Sequence, residues 1–433
     1  METDNRPLLF TFFIPSSITT IIDSFFYDGT SATVTTPKEY GFFLMSIGYW
    51  IELLILILIT LIVAAFVGLI LYYTIIQSKQ TNTTHAYIVG WGLILPFWIS
   101  YPVILLYFFD IRNCLFKFLV GCIAPVVCVF RTTECIYGFV PMYSTRSLQE
   151  FLFYYATIPI VSRIKKKPKQ HDDDNCAGSK KINHLIKFIG WLFLTGVLQS
   201  ILSPYPYFAP FGGINGSHRG YDGHGHDWYA VERYFTWQLY ANSSLQALLF
   251  QLYLTTYGEA MALVFTVLTG YEAEPVMDNP LLESTSPSDF WGRRWNLIVH
   301  TVLKNGVYKP VRKYFGRTTA VLTTFLTSGI FHEWILYVVF GSGNSQQQQL
   351  YQPIYGTCTV FFLWQAVLIG LELTVGKSYS VCQVCKILPR PIKTSIIIFS
   401  GVMFAHFFLD PYIRRSFFDH GAIGLPMIVP LRR

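Results

Sequence analysis

"LLILILITLIVAAFVGLILYY", Leu53 to Tyr73, is an apolar run without a single charged residue. At a rise of about 1.5 Å per residue, a helix of this length crosses a hydrocarbon core of about 30 Å. The whole chain of 433 residues is 52% hydrophobic, 17% aromatic and only 13% charged, which soluble globular domains rarely reach. The sequence therefore predicts an integral membrane protein.

Further apolar stretches predict more spans, and with the first run they make eight. The segment 149–162 is either a ninth span or a helix that lies in the membrane interface. The predicted fold is an all-α, polytopic transmembrane helix bundle of about 8 to 9 spans. The additional spans are expected at about 86–109, 115–130, 185–204, 236–270, 318–340, 354–373 and 395–409.

Three loops are rich in Lys and Arg: 162–181, 290–317 and 377–393. The positive-inside rule places all three on the cytoplasmic side, and an even number of predicted spans separates each from the next. Residues 205–235 and the C-terminus are then luminal or external. The side on which the first spans begin stays open.

Several other patterns predict no function. The formal charge of +7 is concentrated in loops and carries no RNA-binding signature, so nucleic acid is not an expected partner. Cys382 and Cys385 form a lone CxxC without the second ligand pair of a structural zinc site. The loop 218–228 holds three histidines among glycines, which do not orient metal ligands. No metal site is predicted, and the acidic residues Glu2 and Asp4 argue against a cleavable signal peptide.

"TSGIFHEWIL", residues 327–336, places His332 and Glu333 inside a predicted span. Thr324, Ser328 and His332 share one helical face, as in a helix that lines a polar cavity. An ionised group near the bilayer centre costs about 2.5 to 3.5 kcal/mol on insertion scales, so an intramembrane histidine is by default a functional-site hypothesis. The alternative, a histidine hydrogen-bonded between helices, stays open.

A second motif, "SDFWGRRWN", runs from Ser288 to Asn296 and opens a basic segment. Its aromatic residues Phe290, Trp291 and Trp295 suit the level of the lipid headgroups. The segment is either an amphipathic surface for anionic lipid or an entrance for a polyanionic ligand, with arginine forks on phosphates. Between 290 and 317 it has no acidic residue and seven basic ones: Arg293, Arg294, Lys304, Lys309, Arg312, Lys313 and Arg317.

Together the two motifs resemble the wax synthase branch of the membrane-bound O-acyltransferase superfamily, over residues 287–336. The resemblance implies a helix bundle that encloses a reaction chamber, with His332 as the catalytic residue and Asn296 as its polar partner. It also implies an acyl-CoA co-substrate in place of a cofactor, and a long-chain fatty alcohol or other lipid alcohol as acceptor. His332 would take the alcohol proton while an amide donor such as Asn296 stabilises the developing oxyanion.

The remaining residues expected to border the substrates are Phe290, Trp291, Arg293, Arg294, Trp295, His300, Ser328 and Glu333. His300 lies four residues after Asn296 and either lines the CoA mouth or is a solvated interfacial histidine. Glu333 points about 100° away from His332 on a helix and suits pairing with another helix better than relaying a proton.

We expect one membrane-embedded acyltransferase domain over 1–433, with the catalytic motifs in 285–340 and an N-terminal segment 1–40 of undetermined role. Membrane lipids are expected partners, a homo-oligomer is left open, and the endoplasmic reticulum is the expected membrane in a eukaryote. Two alternatives remain: the same chemistry on diacylglycerol or a sterol, and a proton-coupled transporter that uses His332 and Glu333. The sequence lacks the inverted repeats that many transporters show.

Overall fold

Long helices make up most of the chain in the computed structural model, as the apolar runs predict. It describes residues 7–14, 38–157, 173–202, 237–269, 273–341, 355–375, 387–415 and 417–430. The CxxC motif, residues 162–172 of the first basic loop and the histidine-rich loop 218–228 lie outside these ranges, whereas residues 173–181 form the start of a helix.

The first three spans are α1 (Ile47–Ile76), α2 (Thr84–Phe109) and α3 (Cys114–Tyr137). Helix α1 begins where the Ser46 hydroxyl accepts a hydrogen bond from the backbone N–H of Tyr49. Ile47, Ile51, Ile55 and Ile62 are exposed on its outer surface, as a lipid-facing helix requires, whereas α3 is buried along most of its length. Helix α3 is therefore a central helix of the bundle.

Helix α4 (Leu148–Ala156) has nine residues and rises only about 14 Å, which is too short to cross a bilayer. Phe151 and Tyr155 anchor it in the interior, and the Tyr155 hydroxyl accepts from Trp98 Nε1 at 2.9 Å. The described part of 149–162 is thus a short packed helix and not a ninth span.

The later helices are α5 (Asp173–Leu202), α6 (Trp237–Thr269), α7 (Leu297–Leu303), α8 (Lys309–Phe340) and α9 (Thr357–Val375). A π-helical turn, Lys304–Tyr308, joins α7 to α8. Gly316 interrupts α8 with φ +83° and ψ 180°, a conformation that is essentially restricted to glycine. The kink separates the first part of α8, with Lys309, Arg312 and Lys313, from the membrane-spanning part, which begins at Arg317.

The last span is broken. Helices α10 (Arg390–Val402) and α11 (Ala405–Arg414) meet at an angle of 67°, and α12 (Phe417–Ala422) follows. Two side chains of α9 bond carbonyls in the last turn of α10: Trp364 Nε1 donates to Ser400 O at 2.8 Å, and Gln365 Nε2 donates to Gly401 O at 3.1 Å. These bonds satisfy backbone groups that the break exposes inside the bundle.

A three-stranded antiparallel sheet joins the two ends of the chain, with β1 (Leu8–Ile14), β2 (Lys38–Phe43) and β3 (Met427–Pro430) in that order. The sequence did not predict this sheet. Because β2 precedes the first span and β3 follows the last, the paired strands require an even number of crossings between them. Seven long helices plus the bent pair make eight crossings in the described residues, so the bent pair counts as one span.

An independent contact agrees with this count. After four spans the chain should return to the side of the sheet, and Ser200, near the end of α5, does accept a hydrogen bond from Ile428 N of β3 at 2.8 Å. The protein is a multi-pass membrane protein, and both ends of its described chain lie on the same side.

Candidate active site

A cavity of about 460 Å³ lies in the bundle among α3, α6, α7, α8, α9 and the broken last span. Both predicted catalytic residues, His332 and Asn296, line it. So do Thr324 and Ser328, which confirms that the polar stripe of this helix faces a cavity. Elsewhere the wall is mostly apolar, and its residues include Phe118, Phe130, Phe250, Ile335 and Leu409.

The His332 ring has a defined tautomer. Its Nδ1 lies 2.7 Å from the backbone carbonyl oxygen of Ser328, one turn earlier in α8. A carbonyl only accepts, so Nδ1 carries the proton and donates it to this bond. In the neutral ring Nε2 is then the unprotonated nitrogen, and no side chain or backbone group of the described residues bonds to it.

Two aromatic rings hold the imidazole from different helices. The ring centre of Phe362, on α9, lies 4.5 Å from that of His332, and Phe408, on α11, approaches edge-on at 5.1 Å. Phe408 lies on the second half of the broken span, so the bend between α10 and α11 positions one of the two rings. The imidazole is thus fixed by a carbonyl on its own helix and by packing from two others.

Asn296 has a backbone conformation that few other residues tolerate. Its φ is +41° and its ψ is 68°, in the left-handed region where asparagine is enriched. Its side-chain Oδ1 accepts a hydrogen bond from Val299 N at 3.2 Å and caps α7. Because Oδ1 is used by the cap, the Nδ2 amide group is the part of the side chain left to donate to a ligand in the cavity.

A polar stripe continues from Asn296 along the wall of the cavity. His300, Lys304 and Tyr308 follow at intervals of four residues, and all of them line the cavity. Residues four apart lie on one side of a helix, so α7 and the π-helical turn present the stripe together. Arg317, just after the kink in α8, also lines the cavity. His300 therefore borders the cavity.

The aromatic residues of "FWGRRW" form part of the same wall: Phe290, Trp291 and Trp295 all line the cavity. The rings of Phe290 and Trp295 stack at 5.3 Å. Trp291 Nε1 donates to Gln365 Oε1 at 3.2 Å, and Gln365 in turn bonds the carbonyl at the break in the last span. The motif is thus tied to α9 and α10 and not only to the membrane surface.

The two arginines of the motif have different environments. Arg294 is largely buried, and its guanidinium contacts carboxylates of Asp289 at 2.9 Å, Glu283 at 3.1 Å and Asp278 at 3.6 Å. Arg293 is 80% exposed and approaches only Asp289, at 3.8 Å. Neither arginine lines the cavity, and only Arg293 has a guanidinium open to a solvent-borne anion.

The ion pairs of Arg294 also shift the pKa values of Asp289 and of Arg294 itself, in the turn formed by residues 278–295. Burial of Asp289 opposes ionisation, but hydrogen bonds from Arg294 and Thr285 outweigh it and lower the pKa of Asp289. The same hydrogen bond, which Arg294 donates to Asp289, raises the pKa of Arg294. Both groups stay charged at neutral pH. An anionic ligand that bound Arg294 would therefore have to displace these carboxylates.

Glu333 does not line the cavity. Its Oε1 accepts a hydrogen bond from the backbone N–H of Thr359, in the first turn of α9, at 3.0 Å. It therefore pairs with another helix, in agreement with its predicted direction about 100° from His332.

Sequence reasoning missed three residues of the site: Phe362, Phe408 and Gln365. Two are phenylalanines in apolar spans, where nothing distinguishes them from lipid-facing aromatics. Gln365 does give a signal, because it is an uncharged polar residue in the middle of an apolar run and such residues tend to bond between helices.

Comparisons with known proteins agree with the position of this site. The profile of the membrane bound O-acyl transferase family matches residues 273–364, which include both motifs. A probable long-chain-alcohol O-fatty-acyltransferase 9 of Arabidopsis thaliana is 36% identical over 107 residues, covering 23% of this chain and 31% of the relative.

Two further Arabidopsis thaliana proteins are similar. Probable long-chain-alcohol O-fatty-acyltransferase 7 is 36% identical over 108 residues, 23% of this chain and 32% of the relative. Probable long-chain-alcohol O-fatty-acyltransferase 3 is 31% identical over 166 residues, 36% of this chain and 45% of the relative. The matched segments thus span about a third to a half of the length of these relatives.

Proposed function

We propose that this chain, which is similar to the membrane bound O-acyl transferase family over residues 273–364 and to long-chain-alcohol O-fatty-acyltransferases, transfers a fatty acyl group from acyl-CoA to a long-chain fatty alcohol. The products are a wax ester and free CoA. The observation that carries this proposal is the His332 Nδ1–H bond to the Ser328 carbonyl, because it leaves Nε2 as a base in a cavity that also holds the Asn296 amide.

In the proposed reaction, Nε2 of His332 removes the hydroxyl proton of the alcohol as its oxygen attacks the thioester carbonyl carbon. The new C–O bond forms, and negative charge collects on the carbonyl oxygen, where Asn296 Nδ2–H donates a hydrogen bond. Collapse of this intermediate breaks the C–S bond. The CoA thiolate then takes the proton held by His332, which restores the base without a covalent enzyme intermediate.

The cavity wall suits an amphiphilic donor. The stripe formed by His300, Lys304 and Tyr308 offers polar contacts to the CoA arm, and Lys304 and Arg317 supply positive charge for its phosphates. The apolar wall around His332 suits the hydrocarbon chain, at about 0.8 kcal/mol per buried CH₂. The CoA head would stay on the side of the basic loops, which we propose to be the cytosol.

In this proposal Arg293 is a phosphate contact at the cavity mouth. Arg294 acts instead through the turn, because its guanidinium is already bonded to acidic side chains. We place the catalytic motifs in segment 285–340 of a single membrane domain. We also propose the endoplasmic reticulum as its membrane, which cofractionation with a resident marker of that organelle would test.

The acceptor is proposed as a fatty alcohol because the similar proteins are named for that substrate class. The test is ester formation by the purified protein in nanodiscs from labelled hexadecanoyl-CoA, with hexadecanol, diacylglycerol or cholesterol as competing acceptors. We expect hexadecanol to be preferred. Preference for diacylglycerol or cholesterol would overturn the choice of acceptor, and the lack of any ester would overturn the acyltransferase activity.

The matched variants are His332→Ala and His85→Ala. Removal of the base should lower turnover by about 10² to 10⁴-fold, while His85, which is exposed in the first turn of α2, serves as the control. Near-normal turnover of His332→Ala would contradict the assigned base.

A further inference from the structure

Glu333 stands next to the proposed base, yet it faces another helix. Its Oε1 accepts the backbone N–H of Thr359 at 3.0 Å. Thr359 is the third residue of α9, where backbone N–H groups have no partner within the helix. Glu333 therefore caps the start of α9 from α8.

The two helices are in close contact at the same height. A Cβ added to Gly329, one turn before Glu333, would lie 2.6 Å from the Cα of Thr359. A backbone atom cannot rotate away from such a clash, so the approach requires glycine. The hydrogen bond and the glycine contact together fix both the separation and the register of α8 and α9.

This register acts directly on the imidazole. Phe362 lies three residues after Thr359, less than one helical turn along α9, and its ring centre is 4.5 Å from that of His332. A rotation or shift of the first turn of α9 would move the Phe362 ring away from His332. The position of the Phe362 ring on His332 therefore depends on the hydrogen bond that caps α9.

The structure argues against a proton relay from His332 to Glu333. The nitrogen that such a relay would use, Nδ1, is already bonded to the Ser328 carbonyl. Glu333 does not line the cavity, and its Oε2 is buried with no hydrogen-bond partner among the described residues. The carboxylate contributes an oxygen to α9 and no path to the ring.

We propose that Glu333 is a positioning residue, which fixes the first turn of α9 through Thr359 and so keeps Phe362 packed on the imidazole of His332. This role rests on the proposed function of His332 as the base. It assigns to Glu333 a task in the membrane interior that depends on an acceptor oxygen at the right distance and not on negative charge.

Three substitutions of Glu333 distinguish a requirement for the acceptor oxygen from a requirement for negative charge. Glu333→Gln keeps an acceptor oxygen at the same reach, and its amide nitrogen replaces an oxygen that has no partner, so turnover should stay within about threefold of the unsubstituted protein. Glu333→Asp keeps the charge but withdraws the oxygen by one methylene, and Glu333→Ala removes it. Both should lower kcat by at least about tenfold, because a small misplacement of a reacting group is costly. The KM for acyl-CoA should change less than about twofold.

A second contact provides a test that leaves every polar group unchanged. Gly329→Ala would push α9 away at Thr359 and should lower kcat like Glu333→Ala. Gly370→Ala, on α9 itself, is the matched control, since no heavy atom lies within 4 Å of its added Cβ. Phe362→Leu should give the same loss of kcat with the cap intact.

Activity of Glu333→Asp with loss in Glu333→Gln would show that the charge matters, and would overturn the proposal. Normal activity of Glu333→Ala or of Gly329→Ala would do the same. If Glu333→Ala fails to accumulate as a monodisperse protein, the comparison of Gln with Asp decides. His332→Ala is assayed in parallel, and its activity would refute the proposed base whatever the Glu333 variants show.

Discussion

The turn that carries the arginine motif and the helix that carries His332 hold their functional groups by different interactions. In the turn, residues 278–295, three carboxylates bind the Arg294 guanidinium. In α8 the imidazole is held by a backbone carbonyl and by two aromatic rings. An ionised side chain is destabilised inside the bilayer and is stabilised by water outside it. The imidazole in the membrane-embedded half is accordingly held by neutral groups.

Asn296 lies where the two halves meet. Its backbone belongs to the end of the turn, and its side chain opens into the cavity beside the membrane-embedded groups. Substitutions that change only its cap or only its donor group in the cavity test whether the two roles of Asn296 are separate.

Among substitutions that compare the two halves, Asn296→Asp should have the largest effect. Aspartate keeps the cap on Val299 and tolerates the left-handed backbone, but it has no amide to donate to an oxyanion. Turnover should fall by about 10² to 10³-fold, as when one oxyanion donor is removed, with little change in melting temperature. Ester formation and a thermal unfolding scan measure the two quantities. Loss of stability with retained turnover would mean that Asn296 serves only as a cap.

Arg294→Gln should affect stability more than chemistry. Each hydrogen bond to a charged group contributes about 1.5 to 3 kcal/mol, and the variant leaves Asp289 without its closest partner. We expect a clearly lower melting temperature, with kcat of the folded fraction changed less than about threefold. Unchanged melting with lost turnover would instead favour direct contact of Arg294 with the substrate.

The stability that Arg294→Gln loses depends on pH through Asp289. The pKa of Asp289 is lowered in the folded protein, so the stability it contributes is present above the ordinary pKa of aspartate, about 3.9, and disappears as the pH falls through the folded value. The melting difference between Arg294→Gln and the unsubstituted protein should be constant from about pH 8 to 5 and shrink below about pH 4. A difference that shrinks near neutral pH would point to another group.

Lys304→Gln should raise the KM for acyl-CoA about fivefold while kcat changes little. Lys304 is exposed at the cavity wall, and one solvent-exposed charge pair contributes up to about 1 kcal/mol. The increase should be larger at low salt, because screening weakens such a pair. Lys79→Gln, in the turn after α1, is a control for general surface charge. An equal rise in KM for both variants would contradict a local phosphate contact.

The smallest effect is expected for Ser328→Ala. Although Ser328 lines the cavity, the atom that bonds His332 is its backbone carbonyl, which alanine retains. Turnover should stay within about twofold in the same ester assay. A large loss would show that the hydroxyl group contacts the substrate.

Much of the fold could be predicted from the sequence because the signals are local. Eight spans follow from apolar runs, and the described residues contain them as seven long helices and one bent pair. The stripe of Thr324, Ser328 and His332 follows from helical spacing alone, and the structure confirms that it faces the cavity. These features depend on residues that are close in the chain.

The sheet and the inner contacts of the site could not be predicted in this way. β2 and β3 are separated by nearly the whole chain, and short apolar strands at the ends of a membrane protein resemble other apolar segments. Their pairing also decided the number of crossings, since the broken last span alone is ambiguous.

By itself, the sequence determined that the protein is a multi-pass membrane protein, where its spans lie and which polar residues share a helical face, because hydropathy and helical periodicity act over a few turns. Only the tertiary structure decided that Arg294 is paired with carboxylates while the Arg293 side chain is exposed to solvent. It also decided that Glu333 caps α9 and that Phe362 and Phe408 pack on His332. Those contacts join residues from different helices, and their existence depends on how the helices pack, which no single segment specifies.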